Sequence, residues 1–158
     1  MTSQPDRAAA EALLFLEAEL LDALRWDEWL ELFLPEAIYW VPSRPGQTDP
    51  LNEVSLIYDD LALLQARVAQ LKDPLHYANL PAVRASRHVS NIAVTPIADG
   101  IGVRSKLLMV ESRRDQQTVF GATVTHVLRA TGAGLRIAAK TVVLLNADGV
   151  HEQLVVPF

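Results

Sequence analysis

The stretch from His88 to Asn146 is written almost wholly in a period of two, and this restricts the fold more than anything else in the 158 residues. Apolar and polar side chains alternate over His88 to Ile97, Ile101 to Ser112, Thr118 to Thr131 and Leu135 to Asn146. Strict alternation sends successive side chains to opposite faces, which is how a strand with one buried face is written. The separators are turn signals: Asp99-Gly100, the charged run Arg113 to Gln117, and Gly132-Ala133-Gly134. Four long strands joined by such turns predict an antiparallel meander. Strands of about 9 to 14 residues bend as they twist, so the sheet is expected to curl around a cavity.

The first half is helical. A helix is predicted from near Pro5 and Asp6, capped by Ser3 or Asp6, with Leu13, Leu16, Leu20 and Leu24 on one buried stripe that Leu14 and Leu21 widen. The run RWDEWLELFLPEAIYWVP, Arg25 to Pro42, then places Trp26, Trp29 and Phe33 on one helical face. Asp27 is expected to cap this short helix and Pro35 to end it, with a strand over Ala37 to Val41. SRPGQTDP, Ser43 to Pro50, reads as a mobile surface loop. Val54 to Tyr58 reads as extended. Asp59 or Asp60 then caps a helix that buries Leu61, Leu64, Val68 and Leu71 and stops at Asp73-Pro74. Apolar helices followed by a long meander make an α+β fold. The expected shape is a cone, with N-terminal helices packed on a strongly curved, mainly antiparallel sheet, in one domain over residues 1–158.

Composition removes several function classes. The chain carries 19 acidic against 14 basic residues, scattered along its length, so it offers no basic footprint for a nucleic acid backbone. No apolar run approaches the ~18 residues of a membrane helix, and the N-terminal segment lacks a basic region followed by an unbroken apolar one. A cytoplasmic protein is expected. With no cysteine, the chain cannot build a disulfide framework, a Cys-ligated zinc site or a Cys-bound iron–sulfur cluster.

The four histidines, His76, His88, His126 and His151, fall in no metal-ligand spacing, and Asp73 with His76 reads as a helix end. No metal site and no cofactor site are predicted in this chain. His126 shares a face with Phe120, Ala122, Val124 and Leu128, which sets a polar group on an apolar surface. It is either a buried histidine satisfied by a neighbour or a general base projecting into the cone, partnered by Asp59 or Tyr58. Arg84 and Arg87 flank the entry of the first meander strand, where they suit either solvent or a subunit interface. The Trp26, Trp29, Tyr39 and Trp40 cluster reads as core, with one or two members free to anchor a partner. No nucleophile elbow or phosphate-binding glycine loop is present.

Four blocks in order, FLEAELLDALRWDEWLELFLPEAIYWVP, DPLNEVSLIYDD, LPAVRASRHVSNI and RIAAKTVVLLNAD, carry a resemblance. Together, from about Leu13 to Asp148, the chain resembles the small (β) subunit of bacterial aromatic-ring-hydroxylating dioxygenases. The resemblance implies the cone fold of the superfamily that includes nuclear transport factor 2, ketosteroid isomerase and scytalone dehydratase. It implies a large (α) subunit holding a Rieske [2Fe–2S] cluster and a mononuclear iron. That complex adds both atoms of dioxygen to an arene to give a cis-dihydrodiol, with NADH-derived electrons arriving through a reductase or ferredoxin. It further implies an α3β3 particle in which a trimer of small subunits forms a catalytically silent base, with Arg84, Arg87, Trp26 and Trp40 as candidate interface residues. A Rieske centre needs two cysteines, which this chain lacks. Two other readings stay open: a freestanding isomerase or dehydratase using His126 and Asp59 with Tyr58, and a small-molecule binding module built on the same cavity.

Overall fold

The computed structural model describes residues 7–75, 82–147, 149, 154 and 156–158. The expected caps Ser3 and Asp6, and His76, Asp148 and His151, lie outside the described residues. Three helices, α1 (Arg7–Asp22), α2 (Trp26–Leu30) and α3 (Leu61–Lys72), accompany six strands: β1 (Phe33–Pro42), β2 (Ser55–Asp60), β3 (Arg84–Ile97), β4 (Gly100–Arg113), β5 (Gln116–Thr131) and β6 (Gly134–Leu144). The strand order is β2-β1-β6-β5-β4-β3. The meander β3 to β6 is antiparallel throughout, and β1 joins it parallel to β6. The sheet is curved and stays open, with β2 and β3 at its edges. α1 lies against β3 and β6, α3 against β1 and β2, and α2 bridges the two helices.

The rotation of α1 departs from the expected stripe. Its buried side is Ala10, Leu13, Leu14, Glu17, Ala18, Leu20 and Leu21, while Leu16 is 42 % exposed and Leu24 also faces solvent. Glu17 sits where Leu13, Leu14, Leu20 and Leu21 converge at the three-and-four spacing, so counting leucines alone turns the helix the wrong way. The helix stops at Leu24, which adopts φ 59°. The Arg25 N–H reaches Leu20 O (2.9 Å) and the Leu24 N–H reaches Leu21 O (3.2 Å), the paired bonds of a Schellman ending.

Asp27 does not cap α2. Arg25 occupies the cap position without a side-chain bond, and Asp27, in the first turn, pairs with Lys72 of α3 at 2.8 Å. Nor does Pro35 end this helix, which stops at Leu30. Pro35 lies inside β1, where the register against β6 jumps from Phe33 opposite Ile137 to Ile38 opposite Ala139. A proline cannot donate to a ladder, and this irregular stretch of the pairing is where its missing N–H is tolerated. Asp60 does cap α3, accepting from the Leu63 N–H at 2.9 Å. The Ser43 to Pro50 loop is pinned through Gln47, a buried residue that accepts from the Ser43 N–H (2.9 Å) and donates to Val54 O (3.1 Å).

The core gathers on the concave side, where the Trp29 ring meets Phe33 and Tyr39 edge-on at 5.1 and 6.3 Å between centroids. Two hairpin glycines have positive φ, with different consequences. A Cβ at Gly100 (φ 127°) would stand 2.1 Å from the Leu128 carbonyl oxygen, whereas one at Gly134 (φ 101°) would meet nothing within 4 Å. Gly134→Ala is expected to cost about 1–2 kcal/mol of backbone strain. Gly100→Ala should cost clearly more, because a main-chain atom must move; urea midpoints of the two variants measure the difference.

Candidate functional site

The register sets four polar side chains in one row on the inner face of the sheet. Asp59 of β2 pairs with Tyr39 of β1, Tyr39 with Lys140 of β6, and Lys140 with His126 of β5. All four are buried. Three strand spacings separate Asp59 from His126, about 14 Å, far outside hydrogen-bond reach. The expected pairing of His126 with Asp59 therefore does not form. Asp59 is instead held by Arg67 of α3, whose Nε and Nη2 donate to its two oxygens at 2.8 and 3.2 Å. Tyr58 alternates to the opposite face, where its neighbour Trp40 donates to Ser55 Oγ at 2.8 Å.

The partner of His126 comes from α1. Glu17, 4 % exposed, accepts from three donors: Trp29 Nε1 at 2.9 Å on one oxygen, and His126 Nε2 at 2.9 Å and Lys140 Nζ at 3.0 Å on the other. Burial alone would raise the carboxyl pKa. The Lys140 ammonium and the neighbouring His126, with the hydrogen bonds from His126 and Trp29, outweigh it and hold Glu17 well below the usual carboxylate range. Because Glu17 is ionised, His126 Nε2 carries the hydrogen and donates. Burial also lowers the Lys140 ammonium, with Glu17 opposing, and raises the Tyr39 phenol, with the Phe158 N–H opposing. His126 is therefore buried and bonded through Nε2 to Glu17, while its Nδ1 has no hydrogen-bond partner.

Residues Val156, Pro157 and Phe158 close the cone from inside and are buried. The Phe158 N–H donates to Tyr39 Oη at 3.0 Å, its main-chain oxygen accepts from Lys140 Nζ at 2.5 Å, and its ring meets Phe120 edge-on at 5.2 Å. Beside Phe158, a cavity lined among others by Glu17, Ser105, His126 and Lys140 has a volume of about 20 Å³. That is room for about one water. Glu17, His126 and Lys140 are tied to one another, and the cavity beside them is smaller than a substrate-sized molecule. Among the described residues, no cluster of three or more His, Asp or Glu is placed to hold a metal ion.

Of the residues read as interface candidates, Arg84 is exposed and Trp40 half-buried on the outer face. Trp26 and Arg87 are buried, the latter paired with Asp22 of α1 at 2.7 Å. Glu17 and Lys140 were missed as site residues, although both signals were present. Glu17 is the polar member of the Leu13, Leu14, Leu20, Leu21 stripe, and Lys140 interrupts the Ala138, Val142, Leu144 alternation.

The family model described as "Ring hydroxylating beta subunit" matches residues 16–148. The 2-halobenzoate 1,2-dioxygenase small subunit of Burkholderia cepacia is 33 % identical over 147 residues, covering 89 % of this chain and 88 % of that one. The crystal structure of the β subunit of benzoate 1,2-dioxygenase from Burkholderia mallei superimposes with a TM-score of 0.78 at 26 % identity, covering 95 % and 97 % of the two chains. An NTF2-like protein with a cystatin-like fold from Novosphingobium aromaticivorans, 17 % identical with a TM-score of 0.65 over 89 % and 82 % of the chains, shares the fold alone.

Glu17→Gln should destabilise the chain by about 3–5 kcal/mol, because it leaves the buried Lys140 cation without its carboxylate. Glu17 has a depressed pKa in the folded state, so its contribution is complete above the unfolded carboxyl value of about 4.3 and is lost as pH falls below it. Urea midpoints recorded from pH 7 down to pH 3 should therefore fall steeply below about pH 4.3 in the native chain and less steeply in Glu17→Gln.

Proposed function

Because the chain belongs to the family of ring-hydroxylating dioxygenase β subunits, we propose that it is the accessory small subunit of a multicomponent aromatic-ring dioxygenase and carries no catalytic step itself. The observation that carries this reading is the Glu17-centred interior. In a fold whose cavity could house acid–base catalysis, His126 is bonded to Glu17, Asp59 is held by Arg67, Tyr58 points to the other face, and Phe158 occupies the interior beside Lys140. Fold alone would not decide the matter.

On this reading the large subunit supplies the chemistry. It holds the Rieske [2Fe–2S] cluster and the mononuclear iron, receives NADH-derived electrons through a reductase or ferredoxin, and adds dioxygen to an arene to give a cis-dihydrodiol. The cysteine ligands of a Rieske centre have no counterpart in this sequence. The small subunit works in the cytoplasm as a rigid base, self-associating as a trimer under three large subunits in an α3β3 particle and holding them in register. Arg84, which is exposed, and Trp40, half-buried on the outer face, are the contact residues. Arg87 and Trp26 act from inside, by fixing α1 and α2 to the sheet.

Co-expression with a Rieske-type large subunit encoded beside it tests the proposal. The two chains should co-purify in equal amounts, with all iron assigned to the large subunit, and the small subunit alone should show no turnover. A small subunit that stays monomeric, ignores the large subunit and turns over a ketone or alcohol in a His126-dependent way would sink it. Within the complex, Arg84→Ala and Trp40→Ala should each weaken assembly about tenfold or more, with the thermal midpoint of the isolated chain nearly unchanged for Arg84→Ala and lowered for Trp40→Ala, which loses its bond to Ser55.

A further inference from the structure

Arg87 enters the cone from β3 with its side chain only 2 % exposed, and its guanidinium is used unevenly. Nη1 donates to Asp22 Oδ1 at 2.7 Å, and the Arg87 backbone N–H takes the other Asp22 oxygen at 3.1 Å. The opposite edge, formed by Nε and Nη2, makes one hydrogen bond: Nη2 donates to the main-chain oxygen of Pro157, and Nε has no partner. Elsewhere in this chain the same edge works as a two-pronged fork. Arg67 grips both oxygens of Asp59 with it, and Arg25 grips both oxygens of Glu28 at 2.5 Å each. A carbonyl presents one acceptor to two parallel donors, whereas a carboxylate matches both.

Beside this edge lies an aromatic seat. The Phe158 ring packs against Phe120, and the cavity it shares with Arg87 and Lys140 has apolar walls of Leu14, Leu21, Leu107 and Val124. The Phe158 main-chain oxygen lies on Lys140. A benzene ring next to an oxygen acceptor is thus held between an apolar wall and two buried cations. We propose that the interior of the cone is a binding site for a small aryl carboxylate, with its ring in the place of Phe158 and its carboxylate on the Nε and Nη2 edge of Arg87. Residues Val156, Pro157 and Phe158 are the resident occupant that a ligand must displace. Affinity in the native chain is reduced by the fraction of time the segment is seated. The site uses interior groups and neither Arg84 nor Trp40, so ligand binding and capture of the large subunit are read out separately.

The probe is 3-phenylpropionate, titrated into the full-length chain by calorimetry, with toluene as a ring without a carboxylate and acetate as a carboxylate without a ring. Phe158→Ala empties the seat and should bind 3-phenylpropionate about tenfold or more tighter than the native chain. Adding Arg87→Lys, which keeps the charge beside Asp22 but removes the fork, should reverse most of that gain. Equal binding with and without the fork, displacement of the probe by toluene as effectively as by unlabelled 3-phenylpropionate, or no binding by folded Phe158→Ala overturns the proposal. Should Phe158→Ala not fold, amide exchange in the native chain decides: saturating 3-phenylpropionate, and neither control, should speed exchange of the Phe158 N–H that is bonded to Tyr39, and unchanged exchange counts against the site. Capture of the large subunit, measured on the same proteins, reports separately on assembly.

Discussion

One buried carboxylate sets the geometry of this chain. Glu17 would be expelled from an apolar core on solvation grounds, and it stays because three donors from three different elements converge on it: Trp29 of α2, His126 of β5 and Lys140 of β6. That convergence fixes how α1 is rotated, and so sends Leu16 and Leu24 to solvent. It also ties the first helix to the last two strands, across a sequence separation of more than a hundred residues. The Lys140 and His126 side chains meet Glu17 together because the antiparallel register sets them directly opposite each other.

The same interaction bears on function. Acid–base groups inside a cone can act on a substrate only where they face open space. Here the row from Asp59 to His126 is divided into separate pairings, with Arg67 taking Asp59, the Phe158 N–H meeting Tyr39, and Glu17 taking Lys140 and His126. With Phe158 seated, these pairings hold the interior together and leave two buried nitrogens, Arg87 Nε and His126 Nδ1, without a hydrogen-bond partner.

Much of the architecture was legible because its signals are local. The four meander strands and their turns follow from period-two alternation and from Asp99-Gly100 and Gly132-Ala133-Gly134, and the Asp60 cap of α3 needs only three residues of context. The failures share a cause. Asp27 was read as a cap from its position alone, and its actual partner, Lys72, lies 45 residues away. Pro35 was read as a helix stop, and it sits where β1 loses register with β6. His126 was recognisable as an inward-facing polar group, but Asp59 and Tyr58 were the wrong partners, because no local rule states which strand lies beside which.

The sequence by itself determined the fold class, the strand and helix inventory, the absence of cysteine-based chemistry and the resemblance to a family, since each is encoded in the order and type of neighbouring residues. Only the tertiary structure decided that His126 is spent on Glu17, that Arg87 and Trp26 are interior and that the cone is filled. Those outcomes depend on which of several chemically competent partners the packing brings within 3 Å, and with hydrogen bonds and ion pairs between buried groups that selection is made by sheet register and helix rotation.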